Sequence, residues 1–241
     1  MAISGTYTFN PDVSELLEEA YERAGLEMRT GYDMQTARRS LNFLMLDWQN
    51  RGLNLWTVDQ PAAITLNKGT SSYDIAVGTI GLLDVILRTD DGVVASQADY
   101  LLSRVSEPTY ATIPNKLTQS RPLQYYFDRK EILDVESNGD DQASTITLWP
   151  VPDEDSKYEV LYWRVKRIAD VGGDASNTMQ VPGRFLPALV SGLAYHIAVK
   201  RPEVMSRVQF LKQDYEETYR MAADEDRVKT SARFVPHMAS Y

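Results

Sequence analysis

TITLWPVPDEDSKYEVLYWRVKR, residues 145–167, carries two tryptophans, two prolines and a run of acids. Thr145, Thr147 and Trp149 alternate with Ile146 and Leu148, the period of two expected of a strand with one buried face. Pro150 and Pro152 offer no backbone donor to a ladder, and Asp153, Glu154, Asp155 and Ser156 favour a turn. From Tyr158 to Val165 the chain is again rich in β-branched and aromatic residues. The expectation is a β-hairpin whose strands are held together by Trp149 and Trp163.

The period of two extends back toward the N-terminus. From about Thr57 to Asp170 turn signals recur at 67–69, 90–92, 138–141 and 153–156. Strands are predicted at 62–66, 72–75, 82–88, 123–128, 144–149 and 158–167. In SEPTYATIPNK, residues 106–116, Ser106 suits an N-cap and Pro108 a first turn, so one short helix is expected among the strands.

On either side the period lengthens. Asp12 followed by Glu15 forms a capping-box variant, Val13, Leu16, Leu17, Ala20, Tyr21 and Ala24 make one stripe, and Gly25 ends the helix. A second helix is predicted from about Asp33 to Arg51, with Met34, Ala37, Leu41, Leu44, Met45 and Trp48 spaced by three and four, and Gly52 as its stop. After a loop at 171–178, Leu186, Leu189, Val190, Leu193, Ile197 and Ala198 form a stripe in a segment that is also apolar elsewhere. Such a helix belongs at the centre of a core. Arg201-Pro202 breaks it, and a last helix from about Glu203 to Arg227 turns Val204, Val208, Leu211, Tyr215, Tyr219 and Ala222 inward.

This order predicts an α+β fold. A four-helix layer or bundle comes from the N- and C-terminal segments, with an inserted antiparallel β domain and an extended C-terminal arm. The corresponding boundaries are 1–56 and 171–228 for a discontinuous helical domain, 57–170 for the β-rich insertion, and 229–241 for the arm.

At 241 residues and 27.3 kDa the chain has room for a sizeable core, and 43% apolar with 24% charged residues is ordinary globular composition. A net charge of -9 argues against a dedicated nucleic-acid binder. The absence of cysteine excludes disulfides, thiolate metal sites and cysteine nucleophiles. The opening MAISGTYTFNPD has neither a basic nor an apolar leader segment, and no apolar run reaches the roughly 18 residues of a membrane span, so no membrane partner is expected. From Lys229 onward Lys229 and Arg233 stand without any acid, which leaves a basic arm on an acidic body.

Catalytic signatures are missing. Only His196 and His237 offer imidazoles; the first reads as a polar side chain satisfied in a helix interface, the second as a solvated one. The Asp90-Asp91, Asp140-Asp141 and Asp153 to Asp155 clusters fall at predicted turns, where solvated carboxylates are expected. A divalent-metal hydrolase built on them is one alternative reading. Tyr125, Tyr126, Phe127, Trp149, Tyr158, Tyr162 and Trp163 read chiefly as core. A carbohydrate-binding tail module using Tyr126, Trp149 and Trp163 as stacking platforms is the other alternative. Arg38, Arg39, Arg51, Arg164, Lys166 and Arg167 are expected on a solvated face or in pairs with acids of a neighbouring subunit. No cofactor, metal site or catalytic residue is assigned.

The stretches VSELLEEAYERAGLE, TARRSLNFLMLDWQNRGLNLW, SEPTYATIPNK, PLQYYFDR, TLWPVPDE and LPALVSGLAYHIAVKRPE together span most of the chain. In their order it resembles the head-to-tail adaptor, or tail tubular, proteins of short-tailed bacteriophages. The resemblance implies a non-enzymatic virion protein at the head-tail interface, assembled in the host cytoplasm. It implies a homo-oligomeric ring, usually a dodecamer, bound beneath the portal protein and supporting the tail nozzle or tail fibre proteins. DNA would pass through without specific binding. Twelve copies would bring a charge of roughly -108, which suits a wall that does not grip DNA. The resemblance further implies a C-terminal arm reaching between portal subunits, here Lys229 to Tyr241, with Lys229, Arg233, Phe234 and Tyr241 as its binding residues. The β region is large beside minimal members of that family and is expected to add contacts with tail or fibre proteins.

Overall fold

The computed structural model describes residues 9–52, 55–129, 144–172 and 178–227. The fold is α+β: the described residues form five α-helices and two sheets in which antiparallel pairing dominates. Residues up to Trp56 and from Ile168 onward make one compact unit, and Thr57–Arg167 makes the other.

Helix α1 spans Val13–Ala24. Its capping box closes as expected: the Glu15 amide donates to Asp12 Oδ1 at 2.9 Å and the Asp12 amide donates to Glu15 Oε2 at 3.1 Å. Gly25 ends it in the left-handed region at φ 81°, a conformation that costs glycine nothing. Helix α2 spans Gly31–Asn50 and begins earlier than its apolar stripe announces. Asp33 is the third residue of the helix rather than its start. The Asp33 amide donates to Thr30 Oγ1 at 3.2 Å and the Thr30 amide to Asp33 Oδ2 at 3.1 Å, forming a second reciprocal box.

In the second unit β1 is Val58–Asp59, β2 Ile64–Thr65, β3 Ser72–Asp74, β4 Thr79–Thr89, β5 Ala98–Leu101 and β6 Ser103–Val105. Helix α3, Glu107–Ala111, follows with Ser106 as its N-cap, as its sequence predicts. Strands β7 (Gln124–Asp128), β8 (Thr145–Trp149) and β9 (Tyr158–Lys166) complete the set. One sheet runs β1-β9-β4-β5 with β2 also on β9, and the other runs β3-β8-β7-β6. The β6–β7 pair is parallel, so the unit is not wholly antiparallel.

The expected hairpin of β8 with β9 does not form. Strand β8 lies between β3 and β7, whereas β9 lies in the other sheet. The connection through residues 150–157 exceeds the roughly two to five residues of a tight hairpin, and its backbone is paired elsewhere. The Val151 amide donates to Thr118 O at 2.9 Å, the Gly69 amide to Pro152 O at 3.0 Å and the Ser156 amide to Leu66 O at 2.9 Å. These bonds hold the chain at a corner between sheets. Leu82, Val85 and Leu87 of β4 and Tyr158, Val160 and Tyr162 of β9 meet Tyr125 and Phe127 of β7 and Ile146 and Leu148 of β8 in one buried cluster. Alternation was therefore read correctly in both strands, but it specified a shared core and not a shared ladder.

Helix α4, Leu186–Ala198, is buried nearly all round and packs against α1, α2 and α5 (Val208–Glu225). Two 3-10 turns, Gly183–Phe185 and Pro202–Arg207, lead into α4 and α5. Gly192 brings α4 close to its neighbours: a Cβ there would lie 2.8 Å from Tyr215 Cε2 and 3.1 Å from Leu44 Cδ1.

Candidate functional site

The helical unit presents a groove of about 560 Å³ between α1 and the start of α4. The amphipathic period of α1 builds it, because the edge of the buried stripe supplies Leu16 to the floor while the solvent face supplies Glu18 and Glu22 to the rim. Leu186, Pro187 and Val190 complete the floor. Rim acids are not equally free: Glu15 serves the cap of α1 and Glu19 pairs with Arg23 at 2.8 Å. Glu18 and Glu22 are exposed and their carboxylates have no partner among the described residues. Arg23, which also lines the groove, donates to Ser191 Oγ at 3.2 Å, tying α1 to α4.

The end of α5 lies near the same region. Asp226, 7% exposed, accepts from the Leu55 amide at 2.7 Å and from the Arg184 guanidinium, beside the Gly183 that lines the groove.

Apolar side chains also point outward. Phe43 (59% exposed) and Leu46 lie on α2, and Phe210 (68%) and Met221 lie on α5. The inward stripes that define these helices do not include them. Their signal was present, since Phe43 and Leu46 fall out of phase with Leu41, Leu44, Met45 and Trp48.

The residues singled out from sequence do not converge on a catalytic centre. His196 is half-buried on α4 beside Tyr195, and burial lowers its proton affinity. Asp91 pairs with Arg88 at 3.3 Å, Asp153 accepts from the Tyr158 hydroxyl at 2.8 Å, and Asp155 accepts from the Lys68 amide at 2.7 Å. Asp140, Asp141 and His237 lie outside the described residues. Among the described residues no group of three or more histidine or carboxylate side chains is placed to hold a metal ion, so the metal-hydrolase alternative has no site there.

The three proposed stacking residues are separated. Tyr126 is stacked on Tyr110 at 5.9 Å, the Trp149 indole donates to Asn115 O at 3.1 Å, and Trp163 belongs to the other sheet. The segment around α3 thus engages two of the aromatics, and no single platform for a sugar results. Tyr125, Phe127, Tyr158 and Tyr162 are core, as expected.

Of the basic residues singled out from sequence, Arg51, Arg164 and Lys166 meet carboxylates of their own units. Arg51 bonds Asp47 at 2.7 Å and Glu216 at 2.9 Å and lies over the Tyr215 and Tyr219 rings, each at 4.9 Å. Arg164 forks onto Asp59, its direct cross-strand neighbour, at 2.7 and 3.3 Å. Lys166 approaches the same carboxylate at 3.7 Å, and Arg38 donates to Gly172 O. Arg164 also holds Asp59 below the ordinary carboxylate range, as Arg88 does for Asp99. The Thr30 hydroxyl, with burial opposing and Arg201 assisting, does the same for Asp33. The arm residues Lys229, Arg233, Phe234 and Tyr241 lie outside the described residues.

No helix among the described residues is long and apolar enough to cross a membrane. A family model, SU10 adaptor protein, matches residues 11–236. No curated protein matches the chain. The match takes in both structural units, and the chain belongs to the SU10 adaptor protein family. It is a bacteriophage head-tail adaptor and a structural component of the virion, and membership implies interaction with portal and tail components.

Proposed function

We propose, from membership of the SU10 adaptor protein family, that this chain forms a ring, of twelve copies, beneath the portal of a DNA-filled capsid in a short-tailed bacteriophage. The ring joins portal to tail nozzle or fibre proteins and lines part of the DNA conduit, without enzymatic activity, after assembling in the host cytoplasm. The family match over residues 11–236 carries this reading. Support comes from the net charge of -9, which repels rather than grips a phosphate backbone, and from the outward apolar side chains of α2 and α5, which suit burial between subunits. In the same reading residues 229–241 form an arm, set apart from the helical domain of 1–56 and 171–228 and from the β-rich domain of 57–170. Lys229, Arg233, Phe234 and Tyr241 engage the portal, because arginine and aromatic side chains contribute most at compact interfaces.

Native mass spectrometry tests the reading. Full-length chain and a chain ending at Val228 are each mixed with portal rings of the same phage. Addition of a fixed multiple of full-length chains, and none of the shortened chain, is the expected result. Failure of the full-length chain to bind overturns the portal role, and equal binding by both forms overturns the arm.

A further inference from the structure

We infer that the α1–α4 groove is the docking site for residues 229–241 of the same chain before any partner is engaged. The groove offers apolar floor residues Leu16, Leu186, Pro187 and Val190 under the carboxylates of Glu18 and Glu22, while its cationic lining residue, Arg23, is already engaged by Glu19 and Ser191. The segment 229–241 has the complementary chemistry: Lys229 and Arg233 without an acid, followed by Phe234, Val235, Met238 and Tyr241. The path is short. Asp226 is bonded to Arg184, next to the groove residue Gly183, so the chain leaves α5 close to one end of the groove. At about 3.3 Å per extended residue, the segment reaches roughly 40 Å, ample for a groove bounded by about two turns of helix. Phe9 and Pro11 also line the groove, but residues 1–8, MAISGTYT, bring no charged side chain to match the rim. Arg233 between Glu18 and Glu22 with Phe234 on the floor is the arrangement that satisfies both kinds of surface.

Photo-crosslinking tests this on the full-length chain, with no portal present. Phe234→p-benzoylphenylalanine is prepared in light and heavy nitrogen isotopes, and the two are mixed before irradiation. Adducts on peptides containing Leu16 to Glu22 or Leu186 to Val190, with both halves of the same isotope, are expected. Glu18→Lys with Glu22→Lys should lower the yield at least about fivefold, as should about 0.5 M salt, where screening acts over only a few ångströms. Both acids are exposed, and far-UV circular dichroism verifies that the variant folds. Adducts of mixed isotope would make a second copy the occupant and overturn the inference; so would no adduct on α1 or α4, or a yield indifferent to both charge reversal and salt. Because no portal is present, failure here leaves the portal-binding role of the arm standing, and success does not presuppose it.

Discussion

Gly192→Ala opposes helix propensity to packing and so tests the core of the helical unit. Inside a helix, alanine is favoured over glycine by about 1 kcal/mol. Propensity alone therefore predicts a more stable protein. At this site the added carbon would lie 2.8 and 2.9 Å from two atoms of the Tyr215 ring and 3.1 Å from Leu44 Cδ1. The ring cannot simply swing away, because its hydroxyl accepts from the Trp48 indole at 3.0 Å and Arg51 covers its face. Overpacking costs about 1–3 kcal/mol and a buried indole N–H deprived of its acceptor a further 1–3 or so, giving a net loss of roughly 1–5 kcal/mol after the propensity gain. Urea unfolding followed by far-UV circular dichroism, which reports chiefly on helices, should show a lower midpoint. The close approach is tested separately by combining the change with Tyr215→Leu. Without the ring, Gly192→Ala should cost at least about 1 kcal/mol less than in the native background. An unchanged or raised midpoint in the single variant, or strict additivity in the pair, would refute the argument.

Three other perturbations probe the fixed charges. Arg164→Lys keeps the charge but loses the fork onto Asp59 and the donation to Ala76 O at 3.1 Å and Val77 O at 2.9 Å, and a loss of about 1.5–3 kcal/mol is expected in thermal unfolding. Asp226→Ala removes the acceptor of the Leu55 amide and the Arg184 guanidinium, and a loss of about 1–3 kcal/mol should appear in chemical denaturation; full retention of stability by Asp226→Asn would show that the charge contributes nothing. The acid limb of the stability profile has a definite sign. His196 binds its proton below the ordinary 6.5, and Asp33, Asp59 and Asp99 bind theirs below the ordinary 3.8, so in each case the unfolded chain takes up protons first as pH falls. Thermal midpoints should begin to fall below about pH 6.5 and fall again below about pH 4, with His196→Gln removing the first decline.

Helices were legible because their signals are local. The Asp12 box, Gly25, and the spacing of Leu41, Leu44, Met45 and Trp48 all operate within a few turns of one another. The start of α2 lies ahead of its predicted position because its cap, Thr30, precedes the apolar stripe, which alone does not mark the first turn. Strand positions were legible where burial alternates, as in β7 and β8, and illegible in β1, β5 and β6, which are short and largely unburied. Pairing was the harder problem. Periodicity states which side chains face inward, and Tyr158 and Ile146 do face one core, but the bonds that separate their strands come from Thr118 and Leu66, remote in sequence. The same limit hid the groove: the acids of α1 were visible as a solvated face, whereas their apposition to Leu186 and Pro187 depends on a helix that begins about 160 residues later.

The charged network and the outward apolar residues make opposite demands on an assembly protein. Arg51, Arg88 and Arg164 are each anchored to carboxylates of their own unit, so neutralising these pairs is already accomplished in the single chain and does not require a neighbour. For Arg51 and Arg164, expected on a solvated face or in pairs with a neighbouring subunit's acids, the carboxylate partners are found within the chain itself. Phe43, Leu46, Phe210 and Met221 are different, because nothing among the described residues covers more than part of them. Their transfer from water, worth on the order of 25 cal/mol per Å² of apolar surface, becomes available only when another surface arrives. In the proposed ring, folding and association would draw on separate sets of residues: the paired arginines and the Gly192 contact serve the fold of the single chain, and the outward apolar residues of α2 and α5 would serve contact between chains.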